Sequence, residues 1–149
     1  GDGTKSVYHK VVDQDYPIYI GKAVPSGSRQ GKSKASGAQL YNRLREHYRS
    51  ISHGKLGSCK FTCKFMIMNG VAEDLIPALE SKLISKFHPL WNSYIDGFGI
   101  HTPGKGRFNQ QPSEWDTIHP GRPWLSKLTG APRDAGQVLE KVKSYKMRK

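Results

Sequence analysis

A chain of 149 residues suits one domain with a real core, though a modest one: hydrophobic residues make up 36%, and 16 Gly with 9 Pro forecast plentiful loops. Lys and Arg outnumber Asp and Glu 24 to 12, and the resulting net charge of +12 draws polyanions; without a basic amphipathic helix of the membrane-surface kind, nucleic acid is the favoured partner. No apolar run is long enough to span a bilayer and no signal-peptide pattern opens the chain, so no membrane partner is expected and the cytosol is the simplest location.

Residues 1–24 read as extended. Ser6 to Val12 is rich in apolar and β-branched residues, Asp13-Gln14-Asp15 signals a turn, and Tyr16 to Ile20 forms a short strand ending at Gly21. Residues 25–37 form a positive loop with Arg29, Lys32 and Lys34. It is either a solvated connector or an arm over a phosphate backbone. Residues 38–51 read as an amphipathic helix, with Leu40, Leu44, Tyr48 and Ile51 at helical spacing. Residues 58–68 alternate as a strand, from Cys59 through Phe61, Cys63 and Phe65 to Ile67. The two cysteines share one face, too far apart for a disulfide, and read as small core-facing residues. Residues 75–87 read as a second helix, capped by Asp74, with Pro77 in its first turn and His88-Pro89 as its stop. The segment 96–124 is irregular, and a last helix runs over 134–146. The order predicts an α+β domain: a small central mixed or antiparallel sheet flanked by helices, with a core over 1–95 and an extension over 96–149.

Three constellations carry candidate chemistry. In the second helix, Ile76, Leu83, Ile84 and Phe87 surround Glu80 at helical spacing, which puts a carboxylate inside the apolar stripe. Such a group is costly unless it is paired, protonated or bound to a metal. It is therefore a core salt bridge, a metal ligand or a general acid/base. In the first helix, at about 100° per residue, Arg43 and His47 border the apolar stripe while Arg45 and Arg49 face solvent. The inward pair is either structural or a phosphate holder beside a proton carrier. Tyr19 ends a strand that leads into the basic loop; a buried tyrosine is usually core.

The stretches Tyr19-Ile20-Gly21-Lys22-Ala23, Asn42-Arg43-Leu44-Arg45-Glu46-His47, Leu79-Glu80 and Pro89-Leu90-Trp91-Asn92 resemble the GIY-YIG nuclease superfamily. The Arg-x-x-x-His spacing and the Pro-Leu-Trp-Asn close look like its type II restriction endonuclease branch. So does the tail that begins Asp96-Gly97-Phe98-Gly99 and runs through His101-Thr102-Pro103-Gly104 and Trp115-Asp116 to His119-Pro120-Gly121-Arg122. The similarity covers about residues 16–128.

The resemblance implies Mg²⁺-dependent hydrolysis of double-stranded DNA, with one ion per site on Glu80. It matches Tyr19 to the YIG tyrosine, Arg43 to the arginine on the scissile phosphate, and His47 to the histidine of the restriction branch. Asn92 matches the asparagine that follows the glutamate, and Lys22 a lysine near the phosphate. For the first tyrosine two placements stand: Tyr8, in a Ser6-Val7-Tyr8 that lacks the usual glycine, or a strand before residue 1. DNA contacts are expected from Lys22, Arg29, Lys32, Lys34, His101, Lys105, Arg107 and Arg122. The branch further implies a palindromic site, a homodimer, a partner DNA methyltransferase and a bacterial cytoplasm. The competing readings are a repair or homing-type nuclease of the same superfamily and a catalytically silent DNA-binding module.

Overall fold

The computed structural model describes residues 7–24 and 38–148. Its first regular helix, α1, spans Gln39–His53. No Gly or Pro interrupts this stretch, and Gly54 ends it, its N–H bonding the Ser50 carbonyl at 2.9 Å. The inward face is turned from the expected one. Tyr48 stands exposed, while Arg43, His47 and Ile51 are half-buried and Ser50 is buried. The rotation puts the two polar residues near the middle of the packed face.

A 3-10 turn over Gly70–Leu75 leads into α2, Ile76–Phe87. Pro77 lies in its first turn as expected, but no side chain caps it. Asp74, expected as the cap, lies within the preceding 3-10 turn, where its backbone is already coiled. His88 stops α2 in the left-handed conformation, φ 46°, ahead of Pro89, because a proline disfavours the α region at the residue before it. A wide π-type turn over Leu90–Tyr94 follows, its Ile95 N–H reaching the Leu90 carbonyl at 3.1 Å. The short α3, Glu114–Ile118, is capped by Ser113, and α4, Ala135–Ser144, by Asp134; each cap's side-chain oxygen accepts a backbone N–H at 3.1 Å.

The core joins early, middle and late parts of the chain: Tyr8, Leu56, Leu90, Trp91, Ile95, Phe98, Trp115, Val138, Val142 and Tyr145. Trp91 is its hub, with ring contacts to Tyr8, Phe98 and Trp115 at centroid distances of 5.8, 4.5 and 5.8 Å. The stretch after residue 95 thus supplies half of this core and closes over the rest.

The expected central sheet is not there: the described residues contain helices, turns and irregular backbone, with no strand. Three segments show why the pattern misled. Val7 to Asp13 coils, with the Val11 and Val12 N–H groups both on the Tyr8 carbonyl. Tyr16 to Ile20 is unladdered, and its bonds go elsewhere. Ile18 O accepts from Trp91 N at 2.9 Å, and both backbone groups of Ile20 bond the Asn92 side chain. Residues 61–67 keep their alternation, yet every one of them is exposed. Cys63, expected to face the core, is an exposed free thiol and Cys59 a half-buried one. Alternation says which side chains share a face; a strand also requires a partner backbone. No helix of the described residues is long and apolar enough to cross a membrane.

Candidate active site

The site is built on α1 and closed by the segment 97–101. Arg43 projects from α1 toward Tyr19 and the Gly99 backbone. Its Nη2 donates to the Gly99 carbonyl at 2.7 Å and to Tyr19 Oη at 3.3 Å. Its Nη1 donates to Glu46 Oε2 at 3.1 Å and lies 3.2 Å from His101 Nε2. Because Arg43 donates to Tyr19 Oη, the hydroxyl acts there as acceptor and keeps its own proton for another partner.

His47 lies one turn further along α1. Its ring stacks on Phe98, with centroids 4.9 Å apart, and meets the Tyr19 ring edge-on at 5.1 Å. Burial, with the Arg43 charge second, pushes its pKa down to about 4. The imidazole is therefore neutral near pH 7 and able to accept a proton. Tyr19 is gripped on several sides. Phe98 meets it edge-on at 4.9 Å, and a Cβ on Gly99 would fall 2.2 Å from its hydroxyl and 3.2 Å from Arg43 Nη2. Only a glycine lets the backbone come this close.

Gly97, two residues earlier, sits at φ +105°, and a Cβ there would strike Ser113 Oγ at 2.0 Å. The turn that delivers Phe98 and Gly99 to the tyrosine thus depends on a residue without a side chain.

A second cluster starts three residues after Tyr19. Lys22 Nζ meets Glu80 Oε2 at 2.5 Å, with the two side chains 34% and 18% exposed. The stripe placement of Glu80 on α2 is as the spacing predicted, and its partner is a lysine of the Tyr-Ile-Gly-Lys segment. Asn92 ties this segment down: its Oδ1 accepts from Ile20 N and its Nδ2 donates to Ile20 O, both at 2.8 Å. One side-chain amide thus satisfies both backbone groups of the residue between Tyr19 and Gly21, doing for one residue what a neighbouring strand does for several.

Glu80 offers a single carboxylate, and among the described residues no group of three or more His, Cys, Asp or Glu converges. That donor set suits a hard divalent ion held by one carboxylate, with water and substrate phosphate oxygens completing its shell, and does not suit an all-protein cage. The Lys22 ammonium already on Glu80 demonstrates that a cation reaches this oxygen.

The remaining expected residues are dispersed. Tyr8 is buried, hydrogen-bonded to His119 and stacked on it at 5.6 Å. Burial raises its pKa well above the usual phenol range. Arg122, expected to reach DNA, is 2% exposed. Its Nε donates to Asp116 Oδ1 at 2.6 Å, its Nη2 to the Gly97 carbonyl at 2.7 Å, and its plane lies between Trp115 and Trp124. An arginine so enclosed serves the interior. Lys105 and Arg107 are exposed around the turn that bonds Arg107 N to Gly104 O. Arg29, Lys32 and Lys34 lie outside the described residues. Sequence reasoning gave no role to Phe98 and Gly99, although both stand in the Asp96-Gly97-Phe98-Gly99 stretch. It also passed over Glu46, although its place three residues after Arg43 on one helix was a readable pairing signal.

A guanidinium fork, a phenol, a neutral imidazole and a carboxylate–lysine pair are kinds of group that phosphodiester hydrolysis can use. The family model of the Eco29kI GIY-YIG domain matches residues 3–146. The chain belongs to this family of restriction-type GIY-YIG nucleases and is a DNA endonuclease. No individual curated protein matches it significantly.

Proposed function

We propose that the chain is a type II restriction endonuclease. It hydrolyses double-stranded DNA at a short palindromic site, as a homodimer, with one Mg²⁺ on Glu80. The observation that supports this most directly is the Arg43–Tyr19 hydrogen bond beside a neutral, half-buried His47. Arg43 binds a non-bridging oxygen of the scissile phosphate and offsets the charge that grows there, a task a guanidinium fork fits. The Tyr19 hydroxyl orients the attacking water and takes its proton as it passes its own to His47. Lys22 leaves Glu80 and turns its ammonium to the same phosphate. A divalent ion on Glu80 would polarise the phosphate and stabilise the leaving oxygen. Asn92 keeps Tyr19 and Lys22 in register through Ile20. A homodimer fits a palindromic site because its two-fold axis repeats the contacts on both half-sites. A DNA methyltransferase that protects the same site and a bacterial cytoplasm complete the reading.

The test replaces Glu80→Gln and incubates plasmid and labelled duplex with Mg²⁺. The parent yields discrete bands, and the variant binds the duplex in a mobility shift but does not cut. Cleavage at the parental rate by Glu80→Gln would remove Glu80 from the mechanism, and a smear from the parent would remove sequence specificity.

A further inference from the structure

Arg43 is held at two nitrogens by two different kinds of partner. Nη2 points inward, to the Gly99 carbonyl at 2.7 Å and Tyr19 Oη at 3.3 Å. Nη1 points outward, and there a carboxylate and an imidazole meet it, Glu46 Oε2 at 3.1 Å and His101 Nε2 at 3.2 Å. The two outer partners also face each other, with His101 Nδ1 3.4 Å from Glu46 Oε2. The three side chains close a ring. Because an arginine only donates, Nε2 is the unprotonated ring nitrogen in this contact.

We infer that Glu46 and His101 are positioning residues for cleavage, holding the outer nitrogen of Arg43 so that its guanidinium meets the scissile phosphate in one orientation. The inference rests on the reading of Arg43 as the phosphate ligand. An arginine side chain has many rotamers to lose, and transition-state charge is met well only by a donor already in place. Held at Nη2 alone, the fork can rock about that nitrogen; a second hold at Nη1 removes this freedom. Glu46 supplies it from α1 itself, one turn past Arg43. His101 supplies it from the distant 97–101 segment, so the C-terminal part of the chain is keyed directly to the arginine. His101 Nε2 already accepts from Arg43 and so is not free for base readout.

The experiment is single-turnover cleavage, at saturating concentration, of a plasmid fragment that the parent enzyme cuts with Mg²⁺. Glu46→Ala, His101→Ala, Glu46→Gln and Arg43→Ala are compared with the parent, and thermal unfolding verifies that each is folded. Glu46 and His101 are exposed, so neither alanine should disturb the fold. Both alanine variants should cut about tenfold more slowly at saturation, as expected for a misplaced catalytic group. Their DNA affinity and its salt dependence should match the parent's. Glu46→Gln, which keeps an acceptor oxygen, should recover most of the rate. Parental rates at saturation in both alanine variants, whatever their affinity, would overturn the inference. Arg43→Ala separates the two possible failures. If it cuts like the parent, the reading of Arg43 has failed; if it is inactive while the alanines at 46 and 101 cut normally, only the positioning inference has.

Discussion

Arg43 and Arg122 grip the same four residues of backbone from two sides. Arg122 takes the carbonyls of Gly97, Phe98 and Ile100, and Arg43 takes the one between them, Gly99. Their settings differ in the partner and in the water. Arg122 is paired with Asp116, both side chains essentially fully buried, and lies between two tryptophans. Arg43 is 18% exposed, its carboxylate partner Glu46 47% exposed, and a phenol and an imidazole stand beside it. A buried arginine with a buried counter-ion has no capacity left for a ligand. A partly exposed arginine, its outer nitrogen ringed by exposed partners, can still meet one. Sequence placed both among the functional residues; burial separates the one enclosed in the interior from the one that reaches the surface.

The comparison breaks most visibly if the two are replaced. Arg122→Ala leaves Asp116 buried and uncompensated, so chemical denaturation should report a loss of about 3–5 kcal/mol. Arg43→Ala should keep the parent's Tm and lower cleavage by about 100-fold or more, the scale for removing a donor to transition-state charge. The reverse pattern, Arg43→Ala unfolding and Arg122→Ala merely slow, would assign the roles the other way round.

A subtler probe targets the shared backbone. Gly99→Ala inserts a methyl group 2.2 Å from Tyr19 Oη. It should cost about tenfold in cleavage rate with DNA affinity retained, since the shift falls on a catalytic group rather than on a binding surface. A parental rate would mean that the tyrosine moves freely and that the Gly99 contact is incidental.

The smallest effect is a pH dependence on the structural side. Burial, with Arg122 second, pushes His119 from about 6.5 down to about 4. Between these values the unfolded chain binds a proton that the folded one refuses. The stability held by neutral His119 is therefore complete above pH 6.5 and drains away as the pH falls toward 4. Parent and His119→Gln should differ most in Tm above pH 6.5 and converge near pH 4. A Tm gap that stays constant across that window would remove His119 as its source.

Of the site, the residues on single helices were legible. Arg43 and His47 share a face because they are four apart, and Glu80 lies in its stripe because Ile76, Leu83 and Ile84 bracket it. These relations are local, and helical geometry alone sets them. The absence of a sheet among the described residues was not legible, for the opposite reason. The alternation over 58–68 and the β-branched run over 6–12 satisfy a pattern, but a strand exists only with a partner, and Val7 to Asp13 coils while 61–67 stands exposed. Helix α1 also packs on a face rotated from its most apolar one, since Tyr48 is left in solvent and the aromatic group around Phe98 takes in His47 instead.

By itself, then, the sequence determined the basic character of the chain, its two long helices, the face each catalytic candidate occupies, and membership in a nuclease family through an ordered set of short motifs. Tertiary structure alone decided that Glu80 pairs with Lys22, that Asn92 stands in for a strand beside Ile20, that Arg122 is buried against the 97–100 backbone, and that Gly99 and His101 converge on Arg43. Those contacts join segments tens of residues apart. No local spacing encodes a long-range contact; it follows from how an aromatic core brings the 97–101 backbone against α1.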